Sequence, residues 1–319
     1  MDKASLGIVS RELFTLYQDG LDSLEPQDMH FSDFSDWLFH TSNYRAELQK
    51  QQREFWAETL KDVQPMYLMS STPSEEPLSD LTQVEAIMDA STLALYHSLM
   101  NEIEATPSEG FFAVYNTLLH HCSSKEMMVV GTAVSQRNTA QLTNVVGPLT
   151  TFVPIKTSVD PNQTFQEYFT SFKADLSKSL ENSDVAYEDI DPKIPSELPS
   201  YFRHSFAYNE MNLDAISELK MEEVQMQNIR TLSKVKDEHQ ELLLDVYGKT
   251  GRVILRFNNH IFSEENAREV LDTYVALVEA LCRSPNSKMC DLSVFNLVES
   301  TSVTAVETDS LLTVTNTIS

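Results

Sequence analysis

Three short stretches late in the chain, FRHSFAYN (202–209), ELLLDVY (241–247) and RVILRFNN (252–259), alternate apolar and polar residues with a period near two. That period sends successive side chains to opposite faces, so the stretches read as strands of one sheet with one face to bury. A long amphipathic segment follows, opened by Ser263-Glu264-Glu265 and carrying Val270, Leu271, Tyr274, Leu277, Val278 and Leu281 at helical spacing. Helices of the same kind precede the strands. Leu6, Val9, Leu13, Leu16 and Tyr17 form one stripe, with Gly20 placed as its stop. Asn43 to Lys61 carries Tyr44, Leu48, Phe55, Trp56 and Leu60. Ser91 is positioned to cap a helix bearing Leu95, Leu99 and Ile103. After Pro107 come Phe111, Val114, Tyr115, Leu118 and Leu119, and Thr164 opens a helix with Phe165, Tyr168, Phe169, Phe172, Leu176 and Leu180. The apolar run Met127–Gly131 suits a buried strand. Together these elements predict an α/β sandwich, a mixed sheet covered by helices.

Punctuation divides the chain. Residues 64–83, QPMYLMSSTPSEEPLSDLTQ, are rich in Pro and Ser and read as a linker between a first part (1–63) and a main body (84–298). Residues 299–319 are mostly Ser, Thr and Val and read as a disordered tail or a linker.

Composition narrows the function. Glycine occurs 7 times, where average usage would give roughly 22, and no GxGxxG or GxxxxGK[ST] can be assembled; nucleotide-binding loops of the common kinds are excluded. The net charge of −25 repels phosphate backbones and anionic lipid, which argues against nucleic-acid and membrane partners. No apolar run reaches the length of a membrane span. Three scattered cysteines, Cys122, Cys282 and Cys290, form no disulfide framework, and a reducing cytoplasm is the expected compartment.

Local chemistry announces no enzyme. His120-His121-Cys122 looks like a metal cluster, yet it falls at the end of the Phe111–Leu119 helix, where polar and cationic groups meet the last carbonyls. No metal and no bound cofactor is expected. The remaining histidines stand alone, and acidic pairs such as Glu222-Glu223 read as solvated surface.

Whole stretches nevertheless match one family. HFSDFSDWLFH (30–40), with Asp33 and Trp37, and QQREFWAETLKD (51–62) resemble an aromatic-Asp-Phe-Ala-x-Trp motif and the following helix of nonribosomal peptide synthetase condensation domains. MMVVGTAVSQRN (127–138) resembles that family's strand and turn ending in Gly-Arg, with Arg137 at the arginine. VVGPLTTFVPIKT (145–157) is similar to (I/V)GxFVNTxPLR: Gly147, Pro154 and Lys156 hold the Gly, Pro and basic positions, and Thr151 replaces Asn. NSDVAYEDI (182–190) resembles HQDxPFExL through Asp184, Tyr187 and Glu188. LRFNNHIFSEENAREVLDTYVALVEAL (255–281) resembles the closing "leYNxxLFd" strand and last helix, with Asn258 at the Asn.

The resemblance implies a chloramphenicol-acetyltransferase-like fold of two lobes, of which this chain supplies the later lobe and the last helices of the earlier one. It also implies amide formation between thioesters held on the phosphopantetheine arms of peptidyl carrier proteins. The family's HHxxxDG signature precedes a helix like RELFTLY (11–17). Counting back puts Asp2 on its Asp and Lys3 where Gly belongs, with both histidines upstream of Met1. In the family the Asp is largely structural and is held by an arginine, expected from an RDxSR-like segment. Here that segment is DPKIPSELPSY, and Arg203 is out of register. Three readings are open: part of a condensation-type acyltransferase, through a truncated gene model, an engineered fragment or a split gene with the missing lobe on a separate chain; a non-catalytic module that binds a carrier protein or acyl-pantetheine; or an inactive remnant. The missing lobe would leave apolar surface exposed on the helices at 6–17 and 44–60.

Overall fold

The computed structural model describes residues 1–24, 26–63, 66, 68, 81–185, 190, 203–209, 240–292 and 294. Three helices open the chain: α1 (Lys3–Asp19), α2 (Phe31–His40) and α3 (Ser42–Thr59). Strand β1 (Leu81–Ile87) leads into α4 (Ala90–Glu102) and α5 (Pro107–Ser123). Then follow the hairpin-like pair β2 (Met127–Ser135) and β3 (Thr150–Ser158), α6 (Phe165–Glu181), and strands β4 (His204–Asn209), β5 (Leu242–Tyr247) and β6 (Arg252–Asn258), before the last helix α7 (Glu264–Arg283).

The strands form one six-stranded mixed sheet in the order β1-β6-β5-β4-β2-β3. β4 is parallel to both β2 and β5; the other neighbours are antiparallel. Alternation works as the period-two pattern predicts. Leu242, Leu244 and Val246 of β5 register with Phe257, Leu255 and Val253 of β6, and all six are buried on the face that α4–α7 cover. Their neighbours in sequence, Asp245 and Arg256, point to the other face.

The helix layer is centred on α5. Residues Gly110–Leu119 are buried all round, which marks a helix packed on every side rather than an amphipathic one. Its start is fixed by a capping box in which Thr106 and Glu109 bond reciprocally, with Pro107 at the first helical position. Phe112 stacks on Phe206 of β4 with ring centres 4.7 Å apart, and the Tyr274 hydroxyl of α7 donates to Phe111 O at 3.0 Å. A Cβ on Gly110 would lie 2.1 Å from Met100 Sδ, so glycine is what lets α4 and α5 approach.

Several sequence expectations shift. The cap of α4 is Asp89, whose carboxylate accepts from Thr92 N; Ser91 lies inside the first turn, and Leu95 is exposed rather than part of the buried stripe. Leu81, Thr82 and Gln83, expected in the linker, are the first residues of β1 and pair with Asn258, Phe257 and Arg256. Helix α2, strand β1 and strand β3 are not among the elements expected from sequence and emerge only in the structure, although Phe31, Phe34 and Leu38 of α2 do recur at helical spacing. The metal-like His120-His121-Cys122 lies in the last turn of α5, where His120 Nδ1 bonds Lys125 O at 2.7 Å. Burial pushes the Cys122 thiol up to about 12, which leaves it an inert packing group. Among the described residues no helix is long and apolar enough to cross a membrane.

Candidate functional site

The residues matched to family motifs converge where α1 begins. Asp2 is the N-cap of α1, and its Oδ1 accepts from Ser5 N at 2.9 Å, the first-turn donor a capping carboxylate is suited to meet. Arg137, on the turn after β2, grips the same carboxylate bidentately: Nη1 to Oδ2 at 2.7 Å and Nη2 to Oδ1 at 3.0 Å. Leu149 N and Thr150 Oγ1 donate to Oδ2 at 2.9 and 3.1 Å. Ser5 Oγ sits beneath, 2.8 Å from Asp2 Oδ1, and accepts from Gly147 N at 2.9 Å and Arg137 Nη2 at 3.0 Å. Both members of the pair are 8% exposed at the side chain.

Burial alone would raise the Asp2 carboxyl, but the Arg137 and Ser5 hydrogen bonds and the guanidinium charge override it and hold it well below the usual carboxylate range. Asp2 is therefore ionised at neutral pH, and both of its oxygens are engaged. It organises backbone and takes no proton at ordinary pH. The arginine expected from an RDxSR-like segment is here supplied by Arg137. Arg203 lies elsewhere, paired with buried Glu241 at the start of β5.

Gly147 completes the clamp. A Cβ there would lie 2.3 Å from Phe31 Cδ2, so the absence of a side chain admits the first aromatic ring of α2. That ring packs with Met29 and Phe34 against Leu142, Val145 and Leu149. Asp33 closes the start of α2, accepting from His30 N at 2.7 Å, and Trp37 lies on the outside of the same helix with Arg45 5.6 Å from its ring centre. The motif at 30–40 thus builds a helix and seats it on the clamp.

Two further motif positions hold α3. Lys156 Nζ donates to Thr59 O at 2.8 Å, a cation on a helix C-terminus. Asp184 meets Arg45 Nη2 at 3.2 Å and Gln52 Nε2 at 3.4 Å, beside Trp56 Nε1 donating to Asn182 O at 2.9 Å. Thr151 lies in β3 opposite Val134, away from these contacts. Asn258 ends β6: its Oδ1 accepts from His260 N at 3.0 Å and turns the chain toward α7. Tyr187 and Glu188 lie outside the described residues.

Asp2, Arg137 and Gly147 thus come together, Lys156 and Asp184 fasten α3 beside them, and Asn258 stands apart. Lys3, noted in the sequence only as a substitute for glycine, reaches buried Asp245 on β5 at 3.3 Å. That contact had no local signal, since 242 residues separate the pair.

With this arrangement in place, the comparisons with known proteins assign the class. The family model "Condensation domain" matches residues 1–303, and the chain belongs to that family. It is similar to surfactin synthase subunit 2 of Bacillus subtilis (strain 168), 24% identical over 308 residues that span 93% of this chain and 8% of that protein. Bacitracin synthase 3 of Bacillus licheniformis is 26% identical over 194 residues, 59% of this chain and 3% of that one. The chain therefore spans less than a tenth of the length of these curated relatives. Among solved structures it is similar to holo-AB3403, a four-domain nonribosomal peptide synthetase (TM-score 0.74, 18% identity, 92% of this chain and 24% of that one). It is also similar to the first condensation domain of the CDA synthetase (TM-score 0.72, 15% identity, 92% of this chain and 64% of that one). The mixed α/β architecture is the chloramphenicol-acetyltransferase-like fold of that family.

Proposed function

We propose that this chain supplies the later lobe of a condensation-type acyltransferase that joins two carrier-bound acyl or aminoacyl thioesters through an amide bond. The observation that carries this reading is the Asp2 clamp. A carboxylate at the HHxxxDG position is locked by Arg137, Ser5, Leu149 and Thr150, a geometry that fixes the backbone at the point where the signature's histidines would attach. Amide formation needs the attacking amine to lose a proton beside the thioester, and a base held in position is the expected device. Asp2 is no such base: its lone pairs are engaged and its depressed carboxyl holds a proton poorly. The 319 residues contain no HHxxxDG of their own. On this reading the chain does not turn over alone, and its partners are peptidyl carrier domains with their phosphopantetheine arms and a segment carrying the earlier lobe.

The outer face of α1 supports that last partner. Val9, Leu13 and Tyr17 recur four residues apart and are all exposed, so an apolar stripe at helical spacing faces outward; Trp37 and Phe39 of α2 are exposed as well. In α3 the expected stripe is split: Leu48 is exposed, whereas Trp56 and Leu60 are buried.

The experiment supplies two carrier-bound aminoacyl thioesters to the purified chain and follows amide by mass spectrometry. No product above background is expected from the chain alone. Turnover that is lost on Asp2→Ala would overturn the assignment of an incomplete site. The non-catalytic reading starts instead from Lys3, Thr151 and Asn182, which depart from the family's motifs. It predicts saturable binding of a labelled pantetheinylated carrier without turnover.

A further inference from the structure

On the sheet face turned away from α4–α7, cations from two distant parts of the chain share one carboxylate. Asp245 of β5 is 2% exposed at its side chain. Its Oδ1 accepts from Lys3 Nζ and from Asn209 Nδ2, each at 3.3 Å, and its Oδ2 pairs with Arg256 of β6. The Lys3 ammonium also lies 5.1 Å from the centre of the Tyr247 ring. Two cations against one anion leave +2 − 1 = +1 in the cluster, set in a chain of net charge −25. The nearby Arg252 contributes no surplus, because Glu85 holds it at 2.6 Å.

The surplus charge is reachable. Lys3 and Arg256 keep 43% and 28% of their side chains exposed, while the carboxylate between them is covered. An ammonium has three donors and a guanidinium five, and Asp245 cannot engage them all. Burial depresses the Lys3 ammonium; Tyr247 opposes the shift and the charge of Arg256 adds to it. Two cations held this close around one carboxylate are relieved by a second anion approaching from solvent.

We propose that Lys3 and Arg256, held apart by Asp245 and floored by Tyr247, form a binding site for one small oxyanion, a carboxylate or a phosphate. Resting on the carrier-dependent function proposed above, the oxyanion is either a carboxylate borne on the transferred acyl group or the phosphate of the pantetheine arm. The cluster is thereby a determinant of which carrier-borne group this chain accepts.

The test is calorimetric titration of the full chain with inorganic phosphate and, separately, with succinate, against sodium chloride at equal ionic strength. Saturable binding of at least one oxyanion is expected, weakened about tenfold or more by Lys3→Gln, which removes one charge-assisted donor. Lys249→Gln, an exposed lysine on the turn after β5, should leave it unchanged. Phosphate binding alone identifies the arm, and succinate binding alone identifies the acyl carboxylate. Failure of both to saturate, or equal affinity in Lys3→Gln, overturns the site. Binding of free anions requires no amide formation, so loss of the catalytic reading leaves this result standing, and the reverse also holds.

Discussion

Arg137 holds Asp2 by two parallel hydrogen bonds of 2.7 and 3.0 Å across 135 residues of sequence. The pair is buried, bidentate and backed by two backbone amides, so each partner depends on the other. Removing one leaves an uncompensated charge, which typically costs about 3–5 kcal/mol. Arg137→Ala and Asp2→Ala should each lower stability by that order in urea unfolding. Arg137→Lys should rescue only part, because an ammonium cannot reproduce the fork. Losses below about 1 kcal/mol, the range of exposed pairs, would show that the clamp is dispensable.

A second salt bridge gives the contrasting case. Arg45–Asp184 spans 3.2 Å, but the Asp184 side chain is 36% exposed and the contact is single. Asp184→Ala should cost about 0.2–1 kcal/mol, and less in high salt. A loss as large as that of Asp2→Ala would mean that Asp184 fastens α3 more firmly than its exposure implies.

Gly147 and Phe31 should behave as one unit. Gly147→Ala places a methyl 2.3 Å from the Phe31 ring and should destabilise by about 1–3 kcal/mol through overpacking. Phe31→Ala opens a cavity among Leu142, Val145 and Leu149 and should cost about 3–5 kcal/mol, less where the half-exposed ring leaves room to relax. The double variant should be more stable than the sum of the two predicts, since the methyl then has space. Strict additivity in thermal unfolding would separate the two residues.

How far these relationships could be read from sequence depends on their range. The period-two stretches gave β4, β5 and β6, and apolar stripes gave α1, α5, α6 and α7, because in each the signal repeats within the element. Strand β1 is masked by the Pro- and Ser-rich stretch running into it, and Asp89 and Ser91, two residues apart, are both cap-forming residue types, so local sequence does not choose between them. The motif at 127–138 includes Arg137, yet the family resemblance assigns the arginine that holds Asp2 to another segment. Nothing local tells an arginine on a turn which carboxylate it will meet. The pairing follows from β2 and β3 delivering Arg137, Leu149 and Thr150 to one point, and sheet topology sets that. Lys3 on Asp245 is invisible for the same reason.

Acid sensitivity should come in two windows, and each has a named source. His204 is buried at the start of β4, and burial, reinforced by the charge of Arg203, pushes its imidazole down to about 3. In the unfolded chain a histidine titrates near ~6.5. Below that pH the unfolded state binds a proton that the folded state refuses, so stability falls as pH drops, by at most ~1.4 kcal/mol per pH unit. Glu241, whose Oε2 is 3.7 Å from His204 Nε2, has the opposite sign. Burial raises its carboxyl against the pull of Arg203, so the folded state takes up that proton first and offsets part of the loss. Asp2 adds the lower window. Its folded carboxyl is depressed, so its contribution is present above the unfolded value of ~3.9 and is lost as pH falls below it. Urea unfolding between pH 7 and 4 should therefore show declining stability in the wild type, a flatter profile in His204→Gln and a steeper one in Glu241→Gln. Asp2→Asn should leave this range unchanged and alter the profile only when the titration is carried below pH ~3.9. A wild-type curve that stays level from pH 7 to 5, or one unaltered by His204→Gln, would mean that His204 is protonated in the fold.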